Sequence, residues 1–193
     1  MSLTVHPLTA DRFGDLAGVF GRRGEDPRWC WCQLFVRPRG GGTPSPLDNR
    51  AALSCEVERA VVPPGLLAYV EGEAVGWTRV GPRGSLPGVT GNRALARVLG
   101  GDPVTTWWVA CFAVHPRHRG RGVASALLGA AVGFARDRGA TALEGHPVDV
   151  AGLRSGRAGA SSLYTGTRAL FAAAGFVEVA RTWPTRPVMR LEL

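Results

Sequence analysis

Phe112-Ala113-Val114-His115-Pro116-Arg117-His118-Arg119-Gly120-Arg121-Gly122-Val123-Ala124 joins an apolar stretch to a helical one through a basic, glycine-rich turn. Behind the turn, Val123, Ala126, Leu127, Ala130, Ala131 and Phe134 recur at helical spacing. The turn therefore falls at a helix N-terminus, where free backbone N–H groups meet the positive end of the helix dipole. Such a place suits a diphosphate. Gly120 and Gly122 let the backbone approach the ligand closely, while Arg117, Arg119 and Arg121 add charge.

Other phosphate sites fail on the same residues. The chain has 23 basic residues of the Lys and Arg kind, and every one is arginine. Without lysine there is no Walker-A loop and no Schiff-base mechanism. A dinucleotide loop needs Gly-x-Gly-x-x-Gly directly after its strand, and here Gly120-Arg121-Gly122 is followed by Val123-Ala124-Ser125.

The segment resembles the signature of the GNAT superfamily of N-acetyltransferases, Arg/Gln-x-x-Gly-x-Gly/Ala after a central strand. Arg117-His118-Arg119-Gly120-Arg121-Gly122 agrees at every defined position, with Val114 and Pro116 before it and Ala124, Leu127 and Leu128 behind. The resemblance implies acetyl-coenzyme A as cofactor, its pyrophosphate on the backbone of Arg119, Gly120, Arg121, Gly122, Val123, Ala124 and Ser125, with Arg117 beside them. The pantetheine arm would lie on the main chain of Phe112, Ala113 and Val114. It further implies an acyltransferase that moves an acetyl group to a primary amine by direct attack. A non-catalytic module of the same fold that binds acyl-coenzyme A is the alternative.

Periodicity and turn residues predict a strand at Leu3 to Pro7, a helix at Asp11 to Phe20 and a loop from Gly21 to Pro46. A helix over Leu47 to Val61 follows, then a hairpin of Leu66 to Val70 and Ala74 to Val80 turning at Gly72. Pro82 to Pro103 reads as an irregular insertion with a short helix at Asn92 to Leu99. The central strand is Thr105 to Val114, the helix behind it Gly122 to Arg138, and the next strand Thr141 to Gly145. A helix at Ser161 to Ala174 and strands at Phe176 to Arg181 and Val188 to Leu193 end the chain. This order agrees with the GNAT fold over nearly the whole length. The expected class is α/β (α+β), a mixed twisted sheet of seven strands with helices on both faces, in one domain over residues 1–193.

Direct transfer to an amine calls for a base, a donor to the oxyanion and an acid for the departing thiolate. The resemblance places the donor at the backbone N–H of Phe112 or Ala113. Glu144, in an apolar strand whose C-terminal end faces the expected chemistry, is the first candidate base, and His146, two residues on, is the second. Many GNAT members carry tyrosine four residues before the glycine of the last helix-to-strand step, against the cofactor, and this chain has Phe171 there. Phenylalanine gives no proton, which leaves Tyr164 as the candidate acid. Trp29, Trp31 and Cys32 form an unusual cluster read as a wall of the acceptor site. Its Cys-x-Cys is tighter than ordinary zinc spacing and has no paired Cys/His element, so no metal is expected.

No run of eighteen apolar residues and no secretory leader is read, so the expected setting is the cytoplasm, without a membrane. Cys30, Cys32, Cys55 and Cys111 are then expected as free thiols. A net charge of +8 admits an anionic partner such as coenzyme A. Nucleic acid is not expected, because the arginines are scattered and no aromatic residues interleave with them. A small-molecule or peptide amine is the expected acceptor, and a homodimer stays open.

Overall fold

The computed structural model describes residues 2–36, 48–153 and 163–193. After β1 (Leu3–Pro7), a 3-10 turn at Ala10–Asp15 runs into α1 (Leu16–Phe20), so the first half of the expected helix is wound tighter than α. The helix α2 (Asn49–Arg59) starts where the Asp48 side chain accepts from the Ala51 N–H, and the expected start at Leu47 lies outside the described residues. Next come β2 (Gly65–Val70) and β3 (Glu73–Pro82), joined by a two-residue turn in which Glu71 and Gly72 have φ of 51° and 82°. The insertion holds two short helices, α3 (Pro87–Thr90) and α4 (Arg93–Ala96), the second capped by Asn92. The rest is β4 (Thr106–Val114), α5 (Val123–Arg136), β5 (Ala142–Gly145), α6 (Arg168–Ala173), β6 (Val177–Trp183) and β7 (Arg186–Glu192).

The seven strands make one sheet in the order β1-β2-β3-β4-β5-β7-β6. Only β4 and β5 are parallel, and every other neighbouring pair is antiparallel. On one face α5 and α6 bury Val123, Leu127, Leu128, Phe134 and Phe171 with Val75, Val109 and Phe112 of the sheet. On the other, α1 and α2 bury Leu16, Val19, Leu53 and Val57 with Trp31, Leu67, Trp77 and Cys111. A third cluster seats α3 and α4 on Trp108 and Val188.

One close approach fixes the start of α5. A Cβ added at Gly76 of β3 would lie 2.5 Å from Val123 Cγ1 and 3.1 Å from Leu127 Cδ1. Glycine thus lets the first turn of α5 press on the strand that pairs with the end of β4, at Gly76↔Val114.

The last helix is shorter than the spacing predicts. It begins at Arg168, because Gly166 has φ +80° and Thr167 is extended, its Oγ1 accepting from the Leu170 N–H at 3.1 Å. Tyr164 therefore sits in a turn ahead of the helix rather than in its first turn.

Candidate active site

The site begins where β4 outlasts its neighbour. The parallel ladder runs from Thr106↔Ala142 to Val109↔Gly145 and stops there, although β4 continues to Val114. Two features part the strands. Pro147, two residues past Gly145, has no N–H to extend the ladder. On the other side of β4, Arg79 pairs with Cys111 and Val80 with Val109, so Ala110 is an extra residue that bulges and bends the strand. The edge of β4 from Ala110 to Val114 is thereby left without a strand partner on the β5 side.

Into this opening the N–H of Phe112 is directed, where it donates to the carbonyl of Tyr164. Beneath it lies Phe171, fully buried, with its ring edge-on to Phe112 at 6.2 Å. A Cβ at Gly145 would stand 2.4 Å from Phe171 Cε1, so the glycine that ends β5 makes room for this ring. The phenyl group supplies a floor to the opening and no proton.

From Val114 the chain enters the arginine–glycine turn. His115 N–H bonds Val75 O at 2.9 Å, and a 3-10 turn at Pro116–His118 follows. Gly120 and Gly122 have φ of 72° and 81°, a conformation other residues rarely adopt, and a Cβ at either would meet nothing within 4 Å. The space above the turn is open. Gly122 caps α5 without a side chain, so the N–H groups that begin the helix have no acceptor from the cap side chain. Arg117, Arg119 and Arg121 are exposed around them, and Arg119 Nε reaches back to Val114 O at 3.3 Å.

The candidate bases are placed differently from expectation. Glu144 is 2 % exposed, with one oxygen on Arg83 Nη1 at 2.7 Å and the other on Arg190 Nη1 at 3.0 Å. Arg83 Nη2 also donates to the carbonyls of Gly100 and Gly101, 2.8 Å each. With one bond from a guanidinium group to each oxygen, the carboxylate ties the insertion to the sheet, and its burial shuts it off from solvent. Such a placement, paired with two arginines, weighs against the reading of Glu144 as a base.

His146 Nε2 lies 2.7 Å from Thr182 Oγ1, and Nδ1 lies 3.3 Å from Arg186 Nη2. Arginine can only donate, so Nδ1 accepts and the proton sits on Nε2. Burial, and then the Arg186 charge, push the His146 pKa down to about 4. At neutral pH the ring is uncharged and its accepting nitrogen is taken, which makes it a poor base. Arg186 also reaches Thr165 Oγ1 at 3.1 Å, binding the β6–β7 hairpin to the segment that carries Tyr164. Tyr164 itself packs its ring against Phe35, centroids 6.4 Å apart, while its carbonyl holds Phe112.

The aromatic and cysteine cluster is mostly core. Trp31 is fully buried against Phe13 and Phe20, its Nε1 donating to Asp26 O at 2.9 Å. Trp29 is turned outward beneath the Arg23 guanidinium. Cys32 is bonded to Cys111 in a disulfide, and Cys30 and Cys55 are free. That corrects the expectation of four free thiols, since the fold brings together two residues 79 positions apart. Trp31 and Cys32 are thus not an open wall for an acceptor. They fasten the loop after α1 to β4, one residue from Phe112.

One polar residue that the sequence reading passed over lies beside this junction. Arg79 is 3 % exposed and pairs through Nη2 with Glu56 of α2, while its Nε and Nη1 have no partner among the described residues. A lone arginine within Ala74-Val75-Gly76-Trp77-Thr78-Arg79-Val80 was the signal available. Among the described residues there is no group of three or more His, Cys, Asp or Glu able to hold a metal ion, and no helix is long and apolar enough to cross a membrane.

The sheet is thus parted at its centre, with a phosphate-type turn continuing the longer strand. The chain belongs to the acetyltransferase (GNAT) family, whose model matches residues 27–153. No curated protein matches the sequence. Solved structures with this fold include the acetyltransferase yncA of Salmonella typhimurium, determined with acetyl-CoA, at 16% identity and TM-score 0.57 over 100% of this chain and 95% of that one. The GNAT domain of S. lividans PAT gives 21% identity and TM-score 0.57, over 98% and 89% of the two chains. The PaiA N-acetyltransferase of Thermoplasma acidophilum, in complex with coenzyme A, gives 12% and 0.52, over 100% of both. At these identities the likeness is one of fold.

Proposed function

We propose that this protein binds acetyl-coenzyme A along the unpaired half of β4 and moves its acetyl group to a primary amine by direct attack. The observation that carries the reading is the continuity of three features: a strand edge without a partner, an amide directed into the gap, and the open glycine turn at the start of α5. The diphosphate would rest on the backbone of Gly120 to Ser125, with the Arg117, Arg119 and Arg121 side chains around it. Phe112, Ala113 and Val114 would complete their edge with the pantetheine arm, over the floor made by Phe171. Acetyl-coenzyme A supplies the activated acyl group.

The chain's own residues then have distinct tasks. The Phe112 N–H is the donor placed to stabilise charge growing on the thioester oxygen, and it becomes available when the Tyr164 carbonyl moves off it. Tyr164, so released, is the phenol assigned to the departing thiolate. The chain's other tyrosine, Tyr69, is bonded to Asp15. With Glu144 and His146 both committed, the amine loses its proton to water, and the rate gain comes chiefly from holding the two substrates in line, an effect able to supply several kcal/mol.

The first test is Gly122→Trp. Losing two charge-assisted amide contacts of about 1.5 kcal/mol each lowers coenzyme A affinity roughly 100-fold, read by titration calorimetry while the thermal melt is kept. Unchanged affinity would overturn the assignment. The alternative of a non-catalytic acyl-coenzyme A module draws on Phe171, and thiol release from acetyl-coenzyme A with a panel of amines separates the two.

A further inference from the structure

The opening between β4 and β5 is closed at its centre by the chain itself. The carbonyl of Tyr164 lies on the N–H of Phe112, the group assigned above to the thioester oxygen. A backbone amide has a single N–H, so the Tyr164 carbonyl and the thioester carbonyl compete for one place.

The segment that carries this carbonyl, Leu163-Tyr164-Thr165-Gly166, belongs to neither a helix nor a strand. It is tied differently on its two sides. Ahead of Gly166, Arg186 at the start of β7 donates through Nη1 to Thr165 Oγ1 at 3.1 Å, and Phe35 packs on the ring of Tyr164. From Gly166 onward the main chain is pinned to Val148, whose N–H donates to Gly166 O at 3.0 Å and whose carbonyl accepts from the Arg168 N–H at 2.8 Å. Gly166 is the pivot between these parts. Its φ is +80°, and a Cβ there would lie 3.0 Å from Phe171 Cε2 and 3.1 Å from Phe112 Cε2. Only a residue without a side chain lets the segment lie this close to the two rings that line the opening.

We propose that Leu163 to Gly166 is an autoinhibitory latch, hinged at Gly166 and held by Arg186, that keeps the Phe112 amide shut until acetyl-coenzyme A displaces it. This rests on the acetyl-transfer reading above. A ligand that needs the open form sees only a fraction of the protein as competent, and its apparent dissociation constant rises by the inverse of that fraction. The exchange of one carbonyl for another on Phe112 is nearly balanced. The ties to Arg186 and Phe35 therefore set how much affinity the latch withholds.

The latch also tells the acylated cofactor from the free one. Acetyl-coenzyme A carries a carbonyl to the Phe112 N–H and has to lift Tyr164 off it. Free coenzyme A ends in a thiol, has no acyl oxygen to place there, and binds with the latch shut. Opening thus coincides with the arrival of the acetyl group, and the same movement releases Tyr164 for the departing thiolate.

The experiment is titration calorimetry of acetyl-coenzyme A and of coenzyme A on wild type, Thr165→Val and Gly166→Ala. Thr165→Val keeps the branched shape and removes the oxygen that Arg186 holds, while Gly166→Ala sets a Cβ against the two rings in the shut position. Each is expected to tighten acetyl-coenzyme A binding about fivefold, the worth of one hydrogen bond, and to leave coenzyme A affinity nearly unchanged. Hydrogen exchange of the Phe112 amide in the ligand-free protein, followed by NMR, is expected to quicken in both variants. Equal or weaker acetyl-coenzyme A binding by the variants, or a gain shared equally by coenzyme A, overturns the latch and leaves acetyl transfer standing. If neither cofactor binds any of the three proteins, the acetyl-transfer reading fails and the latch falls with it. Should Gly166→Ala not fold, Thr165→Val decides by the same two measurements.

Discussion

Two buried arginines, Arg79 on β3 and Arg83 just past its end, have opposite surroundings. Arg83 meets Glu144 and the carbonyls of Gly100 and Gly101, and Glu144 in turn holds Arg190. Arg79 meets one oxygen of Glu56 and has two nitrogens without a partner among the described residues. The first set is closed: Glu192 pairs with Arg190 beside Glu144, so two carboxylates meet two guanidinium groups, and the insertion between β3 and β4 is anchored as a result. The second is not: two nitrogens of a buried guanidinium have no partner among the described residues. Burial alone therefore does not tell how fully a charge is satisfied. What separates them is whether the hydrogen-bonding capacity is used up within the chain.

Stability is the sharpest way to break the comparison. Glu144→Gln removes the shared anion of two arginines and should destabilise by about 3–5 kcal/mol, the usual result of stranding buried charge. For a chain of this size that is a fall in melting temperature of roughly 6–20 °C. Arg79→Met should fall within about 1 kcal/mol of wild type, because it discards unsatisfied donors for packing, and the Glu56 it leaves behind is 31 % exposed. Thermal melts of the two variants decide. If Arg79→Met is as damaging as Glu144→Gln, Arg79 is a structural residue and the two arginines are of one kind.

His146 lies between these cases, since it is largely buried and both ring nitrogens are engaged, yet no carboxylate balances it. Its folded pKa of about 4 is below the ordinary histidine value of 6.5. The unfolded chain therefore binds the proton first as pH falls, and the folded state loses stability through the window from about 6.5 down to about 4. Above that window the contribution is complete, and below it the loss is flat. Melts at pH 7 and pH 5 should show a larger drop for wild type than for His146→Gln. Equal drops would mean that the ring is free to charge in the fold, which would restore it as a candidate base.

Most of the architecture was legible because it is periodic. The apolar run into β4, the helical spacing of α5 and the glycines at 120 and 122 are local signals, and the seven-strand sheet with helices on both faces matches the expectation. The closed and open charges were not legible, because partnership is a long-range property. Glu144 in Ala142-Leu143-Glu144-Gly145 looks the same in sequence whether or not Arg83 and Arg190 arrive beside it. The Cys32–Cys111 bond, over 79 residues, has no local signature either. Trp31 was misplaced for a related reason: aromatic residues line pockets and fill cores alike, and only the packing of Phe13 and Phe20 around it tells which.

The smallest effect concerns a third arginine, exposed rather than buried. The Arg119 side chain donates to the carbonyl of Val114 through Nε at 3.3 Å. Two roles are then distinguishable. If it holds the end of β4 in place, Arg119→Ala weakens coenzyme A binding by nearly the same factor at any ionic strength, since a hydrogen bond at contact distance to an uncharged carbonyl is little screened. If it faces the diphosphate, the loss is electrostatic, about 0.2–1 kcal/mol or up to roughly fivefold in affinity, as for exposed ion pairs. That loss should be largest in dilute buffer and nearly vanish in about 1 M salt, where the screening length falls to about 3 Å. The second outcome is expected, because exposure leaves the guanidinium free to swing toward the open space above Gly120 and Gly122. Titration calorimetry of wild type and variant at two salt concentrations separates the roles, and a salt-independent loss would move Arg119 from the open kind of arginine to the closed.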